Sequence, residues 1–392
     1  MRASPWLMMA LWVLPACRDW ELAFEESLDA GAHADAGEQV DGGSIAGGGG
    51  GGGAGGGGAV GGGGGTGGAG GGAVGGGGGT GGTGGAGGGT GGAGGGSAQV
   101  DAGTWGYTDA GVFETVFLVE PGVWASGPND AWAPAASGQL FQWDGISWSR
   151  ASIGGGGGYC FSVWGYSPAD VFIGCSFGDW FRSPQFTVHT APGADDIRAI
   201  HGLSDGGSIY AVGSNWSLLR FESGDFVKVD AGVELSSTGA RYGFRTVAVA
   251  AEHDIWLGGA EGTIVRGDGT TWAVVDAGVS DDVYRIWANG PDDVWFVGLS
   301  AIVLHWNGMS LERPTFCSTC GAIYTAWGHS AGDMWFGDGN GGLRHWDGVT
   351  LGHSISPPGV LRVVGVYGVG EHDLFATGAL TDGNWGLIHF QR

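Results

Sequence analysis

From residue 104 onward the sequence predicts an all-β chain, a seven-bladed β-propeller, and three observations predict it. One phrase recurs with a period near forty residues, and tight Asp-Gly or Asn-Gly turns recur inside it. The last copy also stops one strand short, while a matching strand stands in front of the first. Four-stranded units of this period stack radially, because each twisted blade buries both faces against its neighbours.

Residues 1–17 read as an export address. Arg2 supplies a short positive region, and Trp6 to Leu14 is an apolar run too short to span a bilayer. The junction Leu14-Pro15-Ala16-Cys17 resembles the bacterial lipobox, with Pro15 where Ala or Ser is usual. That resemblance implies lipidation of Cys17 and, because Arg18 rather than Asp follows, an outer-membrane or cell-surface address. An ordinary cleaved signal ending near Ala16 is the alternative. Residues 18–41 form an acidic stem with eight acids between Asp19 and Asp41. Residues 42–103 form a Gly-rich linker, since 40 of the chain's 91 glycines fall in the 55 positions from Gly42 to Gly96. Neither segment can bury enough apolar surface to offset chain entropy, so both are expected as a disordered tether, with a reach of about 40 Å for the glycine tract. A collagen reading fails for want of a strict triplet and of proline.

The clearest repeat runs Ile286-Trp287-Ala288-Asn289-Gly290-Pro291-Asp292-Asp293-Val294-Trp295, then Ile302 to Gly308. A turn aspartate recurs at Asp130, Asp170, Asp254, Asp293, Asp333 and Asp373, with Ser208 in place of the missing copy. The successive spacings are 40, 38, 46, 39, 40 and 40 residues. In each copy an aromatic-ended run precedes a short turn and an alternating run follows. The turns Asp144-Gly145, Asp268-Gly269, Asn307-Gly308 and Asp347-Gly348 favour type I′ hairpins. The seventh copy ends at Arg392 after its third strand, and Thr104 to Val112 matches the fourth-strand phrase Thr271 to Val279. The N-terminal strand is therefore expected to close the last blade and remove an open edge.

The phrases Trp143-Asp144-Gly145-Ile146-Ser147-Trp148 and Gly267-Asp268-Gly269-Thr270-Thr271-Trp272 are similar to the Asp-box of sialidase-type and photosystem-assembly-factor-like propellers, one residue shorter in the turn. The whole pattern resembles propeller lipoproteins of Gram-negative soil bacteria. For function the resemblance implies little, since propellers host hydrolases, lectins and scaffolds.

Charge narrows the partners. With 15 Lys and Arg against 39 Asp and Glu, a net charge of -24 and one lysine, Lys228, the chain is unsuited to nucleic acid or an anionic lipid surface. Contact with a membrane is expected only through the lipid anchor, and the protein is expected as a monomer.

No cofactor, metal or catalytic residue is assigned. His305, His345 and His389 share one strand position with Gln142, Arg220 and Arg266, which reads as a polar blade-face position rather than a chelating set. The turn aspartates are expected to cap turns through backbone N–H groups. Arg198, Arg241, Arg245, Arg285 and Arg362 fall at no common repeat position, which leaves a sialidase arginine cluster unsupported. Asp338 to Gly342 is expected as a plain glycine turn rather than a calcium loop. Cys160 and Cys175 flank a hairpin symmetrically and are expected to form a disulfide, and Cys317 and Cys320 a local one, which suits an oxidising compartment.

Loops joining strands 1 to 2 and 3 to 4 are short and uniform, and the variation falls on the opposite face. There Phe177, Trp180, Asn215, Trp216, Asp382, Asn384 and Trp385 are candidate ligand contacts, because aromatics beside amides and carboxylates suit sugars and protein partners alike. The expected function is a surface-anchored binding protein or scaffold, presenting this face to a protein or polysaccharide without catalysis. The alternatives are a glycoside hydrolase or lyase with carboxylates in the channel, and a periplasmic assembly scaffold.

Overall fold

Seven antiparallel sheets of four strands each make up the compact unit Asp101–Arg392 of the computed structural model. The structure describes residues 106–113, 122–135, 139–153, 158–236, 243–317, 320–370, 373–382 and 384–391. The signal segment with Cys17, the acidic stem and the glycine linker lie outside the described residues.

The blades follow the repeats. Their innermost strands are Trp124–Gly127, Cys160–Ser167, Ala199–Gly202, Phe244–Ala251, Val283–Gly290, Ile323–Ser330 and Val360–Gly368, which define blades 1 to 7 in that order. Blade 3, whose turn aspartate is missing, keeps the register, with Gly202 opposite Ile209 directly after Ser208. Blade 7 is completed as expected: Gly106–Phe113 runs antiparallel to Trp385–Gln391, with Tyr107 opposite Phe390 and Phe113 opposite Trp385. The ring also closes in its core. Val123, Ala131 and Trp143 of blade 1 pack with Phe375 of blade 7, just as Tyr210 and Leu218 of blade 3 pack with Phe244 and Leu257 of blade 4. Each fully buried side chain of this size contributes about 1.5–3 kcal/mol.

The turn aspartates do not cap turns as expected. The bonds they accept come from side chains, chiefly from the third strand of their own blade. Asp170 takes two from Arg182 at 2.6 and 2.8 Å, Asp254 one from Arg266, and Asp293 and Asp333 bonds from His305 and His345 at 2.9 and 2.6 Å. Each third-strand partner lies over the second-strand aromatic: His305 stacks on Trp295 at 4.3 Å, His389 on Phe375 at 4.3 Å, and Arg266 sits 4.6 Å from the Trp256 ring. The shared polar position is thus a clasp joining turn, third strand and aromatic. In blade 3, where Ser208 replaces the acid, Arg220 turns to Glu222 instead. Backbone capping is done by the other turns, as where Asp268 accepts the N–H groups of Thr270 and Thr271 at 2.8 and 2.7 Å. Those two bonds hold the Asp268 carboxyl down at about 2.

Both expected disulfides are present, Cys160 with Cys175, directly opposite in register, and Cys317 with Cys320. They point to an extracytoplasmic setting.

Candidate functional site

The variable-loop face is built on one repeated backbone shape. The connections between second and third strands in blades 2 to 5 each place two successive residues in the left-handed region, as a type I′ turn requires. These pairs are Phe177-Gly178, Asn215-Trp216, Glu261-Gly262 and Ser300-Ala301, with φ between 53° and 71°. A non-glycine residue in that region costs about 1–3 kcal/mol, so the surrounding structure must hold it. The supports come from chain entering a first strand, that of the next blade for Glu261 and Trp216 and that of its own blade for Asn215. Glu261 N–H donates to Asp282 Oδ1 at 2.8 Å, the Asn215 side chain donates to Asp195, and Trp216 Nε1 donates to the Ser236 carbonyl at 3.0 Å. Geometry is constant from blade to blade, while the tip changes from aromatic to amide to acid to hydroxyl.

The seven candidate contacts divide on this face. Phe177 is half exposed at 49 %, Asn215 and Asp382 are exposed, and Trp216 and Asn384 are half-buried. Trp216 leans its edge on Phe244 at 5.0 Å. Asp382 caps its own turn through the Asn384 N–H at 3.0 Å, which lowers its carboxyl pKa. Trp180 and Trp385 are buried, at 1 % and 5 % exposure. Trp180 is held within its blade against Phe172 and His189, and the Arg362 guanidinium lies 5.5 Å from the Trp385 ring. These two support the face rather than present rings on it. Asp338 is fully buried and accepts the N–H groups of Asn340 and Gly342 and a bond from Arg344 at 2.5 Å, so its loop is a glycine turn organised by one carboxylate.

At the channel mouth on this face, cations and aromatics interleave. Arg198 and Arg245 share a repeat position, although the five arginines as a set do not, and the same position holds Phe161, Tyr284 and Tyr324 in other blades. Arg245 is buried, bonded to Asp282 at 3.0 Å and 4.9 Å from the Tyr284 ring, which stacks on Tyr324 at 5.3 Å. Arg198 pairs with Asp196 at 3.6 Å.

Deeper in the channel, toward the turns between first and second strands, sequence reasoning missed a second constellation. The residues facing Trp132, Phe172, Tyr210, Trp256, Trp295, Trp335 and Phe375 across the first two strands form one ring of equivalent positions. They are Trp124, Trp164, His201, Ala248, Trp287, Trp327 and Tyr367, and all but Ala248 line a cavity of about 330 Å³. The signal was the aromatic that ends the first run of most repeats, which reads as core until the blades are placed round an axis. His201 Nδ1 accepts the Val249 N–H at 3.1 Å. Burial first, and the Arg285 charge second, hold its pKa down at about 4.

Among the described residues lining this cavity there is no Asp or Glu, so the paired carboxylates that glycoside hydrolysis needs do not meet there. Nor, among the described residues, do three or more His, Cys, Asp or Glu gather as a metal set.

No family model and no curated protein matches the chain. Among solved structures it is similar to the WD40 β-propeller domain of Doa1, at 14% identity and a TM-score of 0.57, over 72% of this chain and 97% of that one. It is also similar to the computationally designed Ika8 protein, at 14% identity and a TM-score of 0.50, over 71% and 98%. At that identity the likeness shows the fold alone, and a propeller can carry many unrelated functions.

Proposed function

We propose that the chain is a surface-tethered binding propeller, anchored through a lipid on Cys17, held off the membrane by its glycine tract, and presenting the variable-loop face to a protein or glycan partner. The observation that carries this reading is the set of left-handed tips at Phe177, Asn215, Glu261 and Ser300, in which one strained backbone shape repeats and the chemistry it displays does not. A fold that only needed to turn a corner would use glycine at each tip. The disulfides support an exported setting, and the exposed Phe177 of blade 2 with Asn215 and Trp216 of blade 3 suits a partner with apolar faces and hydroxyl or amide edges.

The test is a panel of polysaccharides and surface proteins titrated with the full chain, reading binding and sugar release together. Saturable binding without release, weakened about tenfold or more by Phe177→Ala or Trp216→Ala at unchanged melting temperature, supports the reading. Binding that ignores both substitutions refutes the assignment of the face. Cys17→Ser moves the protein from the membrane to the soluble fraction if the anchor is real, and leaves it in place if it is not.

A further inference from the structure

Among the described residues the most exposed large apolar side chains are Met309, Ile146 and Val349, at 87 %, 86 % and 80 % exposure, and they occupy one repeat position. Each follows the Asn-Gly or Asp-Gly pair in the turn between third and fourth strands, on blades 5, 1 and 6. These turns are pinned. Asn307 accepts the Met309 N–H at 3.0 Å, Asp144 that of Ile146 at 2.9 Å and Asp347 that of Val349 at 2.9 Å, which holds each apolar side chain out in water. Nothing in the fold asks for an apolar residue there: blade 4 has Thr270 at the same position, and the corresponding turns of blades 2 and 3 carry Gln185 and Ser223, all exposed. A single exposed apolar residue is ordinary, but three at one position on one side of the ring are not. Between them stands blade 7, which packs on blades 6 and 1 and has no such turn, because its fourth strand is Gly106–Phe113. That strand begins at the same end of the ring, with Gly106 opposite Gln391 and Gln391 opposite Asp373 of the turn between first and second strands. Apolar tips therefore flank the place where the N-terminal chain enters the propeller, and polar tips take the far side.

We propose that this turn face docks on the bilayer to which the chain is anchored, with Ile146, Met309 and Val349 entering its headgroup layer. The inference rests on the reading of Cys17 as a lipid anchor and goes beyond it. A random-coil tether with a reach of about 40 Å keeps the propeller near a membrane without orienting it. Three tips at one repeat position stand at one height on the ring and meet a flat surface together. The chain enters among them, so theirs is the face that the tether draws toward the membrane. The tract sets how far the propeller can stand off, and the tips set the attitude in which it settles, with the variable-loop face turned outward to its partner. Each tip binds weakly, and the tether makes the contact effective by turning it into an intramolecular event. Stable attachment to a membrane generally takes a second signal beside an acyl chain, and the tips supply one. The headgroups that fit are zwitterionic. Asp144 and Asp347 stand two residues before Ile146 and Val349, Asn307 donates to Glu312 beside Met309, and a net charge of -24 opposes an anionic layer.

The experiment places the lipidated full chain on phosphatidylcholine vesicles whose outer headgroups carry an energy-transfer acceptor. A donor dye is attached through Thr270→Cys on the turn face or through Ser300→Cys on the loop face, both exposed positions. The propeller's own cysteines are paired in disulfides and stay unlabelled. The expected result is stronger transfer from position 270 than from position 300. Serine at all three tips, Ile146→Ser, Met309→Ser and Val349→Ser together, abolishes that difference at unchanged melting temperature and unchanged vesicle-bound fraction. Phosphatidylglycerol vesicles reduce it for the wild type. Equal transfer from the two positions, a difference that survives the serine substitutions, or a larger one on phosphatidylglycerol overturns the docking. So does a detergent-solubilised wild type that is dimeric where the serine variant is monomeric, because the tips then hold a second copy. A wild-type chain that leaves the vesicles refutes the anchor, and the docking falls with it; a chain that stays and shows equal transfer refutes the docking alone.

Discussion

The Trp124 ring lies over Gly165 of the following blade, and a Cβ added to Gly165 would stand 3.0 Å from Trp124 Cη2 and 2.8 Å from the Asp170 carbonyl oxygen. The relationship repeats: a Cβ added to Gly202 would stand 2.9 Å from Trp164 Cη2, and His201 reaches the Val249 N–H one blade on. The channel ring is shingled in part, with Trp124, Trp164 and Trp327 each covering the inner strand of the following blade. Alanine at Gly165 must displace backbone as well as an indole, so Gly165→Ala is expected to cost about 1–3 kcal/mol. Gly290→Ala, where an added Cβ meets nothing within 4 Å, is the control and is expected to stay within about 0.5 kcal/mol. Urea denaturation of the two variants checks both, and equal losses would show that Trp124 yields freely.

Asp293 tests the clasp. Burial pushes its carboxyl up, but bonds from His305 at 2.9 Å and Trp295 at 3.0 Å outweigh burial and leave its pKa below the ordinary value. A depressed folded-state pKa gives stability that is present above the unfolded carboxylate pKa and lost as pH falls through the folded value. Asp293→Asn keeps the shape and removes the charge, at an expected cost of about 1–3 kcal/mol at neutral pH. The gap between variant and wild type should narrow as the pH drops below the carboxylate range. A gap that stays constant with pH would mean that the charge is not what holds the clasp.

How much of this was legible in the sequence depended on whether a feature repeats. Turn residues and strand periods are local, so Asp144-Gly145 and its copies announced the blades, and the seventh copy, one strand short, announced the closing strand. The disulfide of Cys160 and Cys175 followed from hairpin symmetry alone. What escaped needed the third dimension. Trp287 and Trp295 both read as apolar strand residues, yet Trp295 is 2 % exposed in an inter-blade core while Trp287 faces a cavity. Only the direction of the channel axis tells them apart. The roles of Trp180 and Trp385 were hidden for the converse reason, because an aromatic near a variable loop may point up to solvent or down into its blade with the same spacing.

His201 makes stability depend on pH in a calculable direction. Its folded pKa is about 4 against an ordinary 6.5, so above pH 6.5 it is neutral in both states and costs nothing. Between 6.5 and 4 the unfolded chain takes a proton that the folded protein refuses, and stability falls with pH, by at most about 3 kcal/mol; below 4 both states are protonated and the loss stops growing. His201→Phe gives the ring another aromatic and cannot titrate. The difference in unfolding free energy between wild type and this variant is expected to move against wild type as pH drops through that window. A difference that stays flat from pH 7 to pH 4 would place His201 in contact with bulk water.

The closing strand carries the last prediction. Gly106–Phe113 pairs with Trp385–Gln391 along most of its length, and without it that third strand would present unpaired N–H and C=O groups at the edge of blade 7. Exposed edges of this kind recruit other chains. A protein lacking residues 104–113 is therefore expected to melt at lower temperature and to elute as higher oligomers in size-exclusion chromatography with light scattering. Added in trans, a peptide spanning residues 104–113 should restore the monomer, because the register of Tyr107 opposite Phe390 is set by the sheet rather than by the linker before it. If the truncated protein stays monomeric and melts unchanged, the buried contacts of Val123, Ala131 and Trp143 with Phe375 close the ring by themselves and the strand is ornament to a wheel already locked in its core.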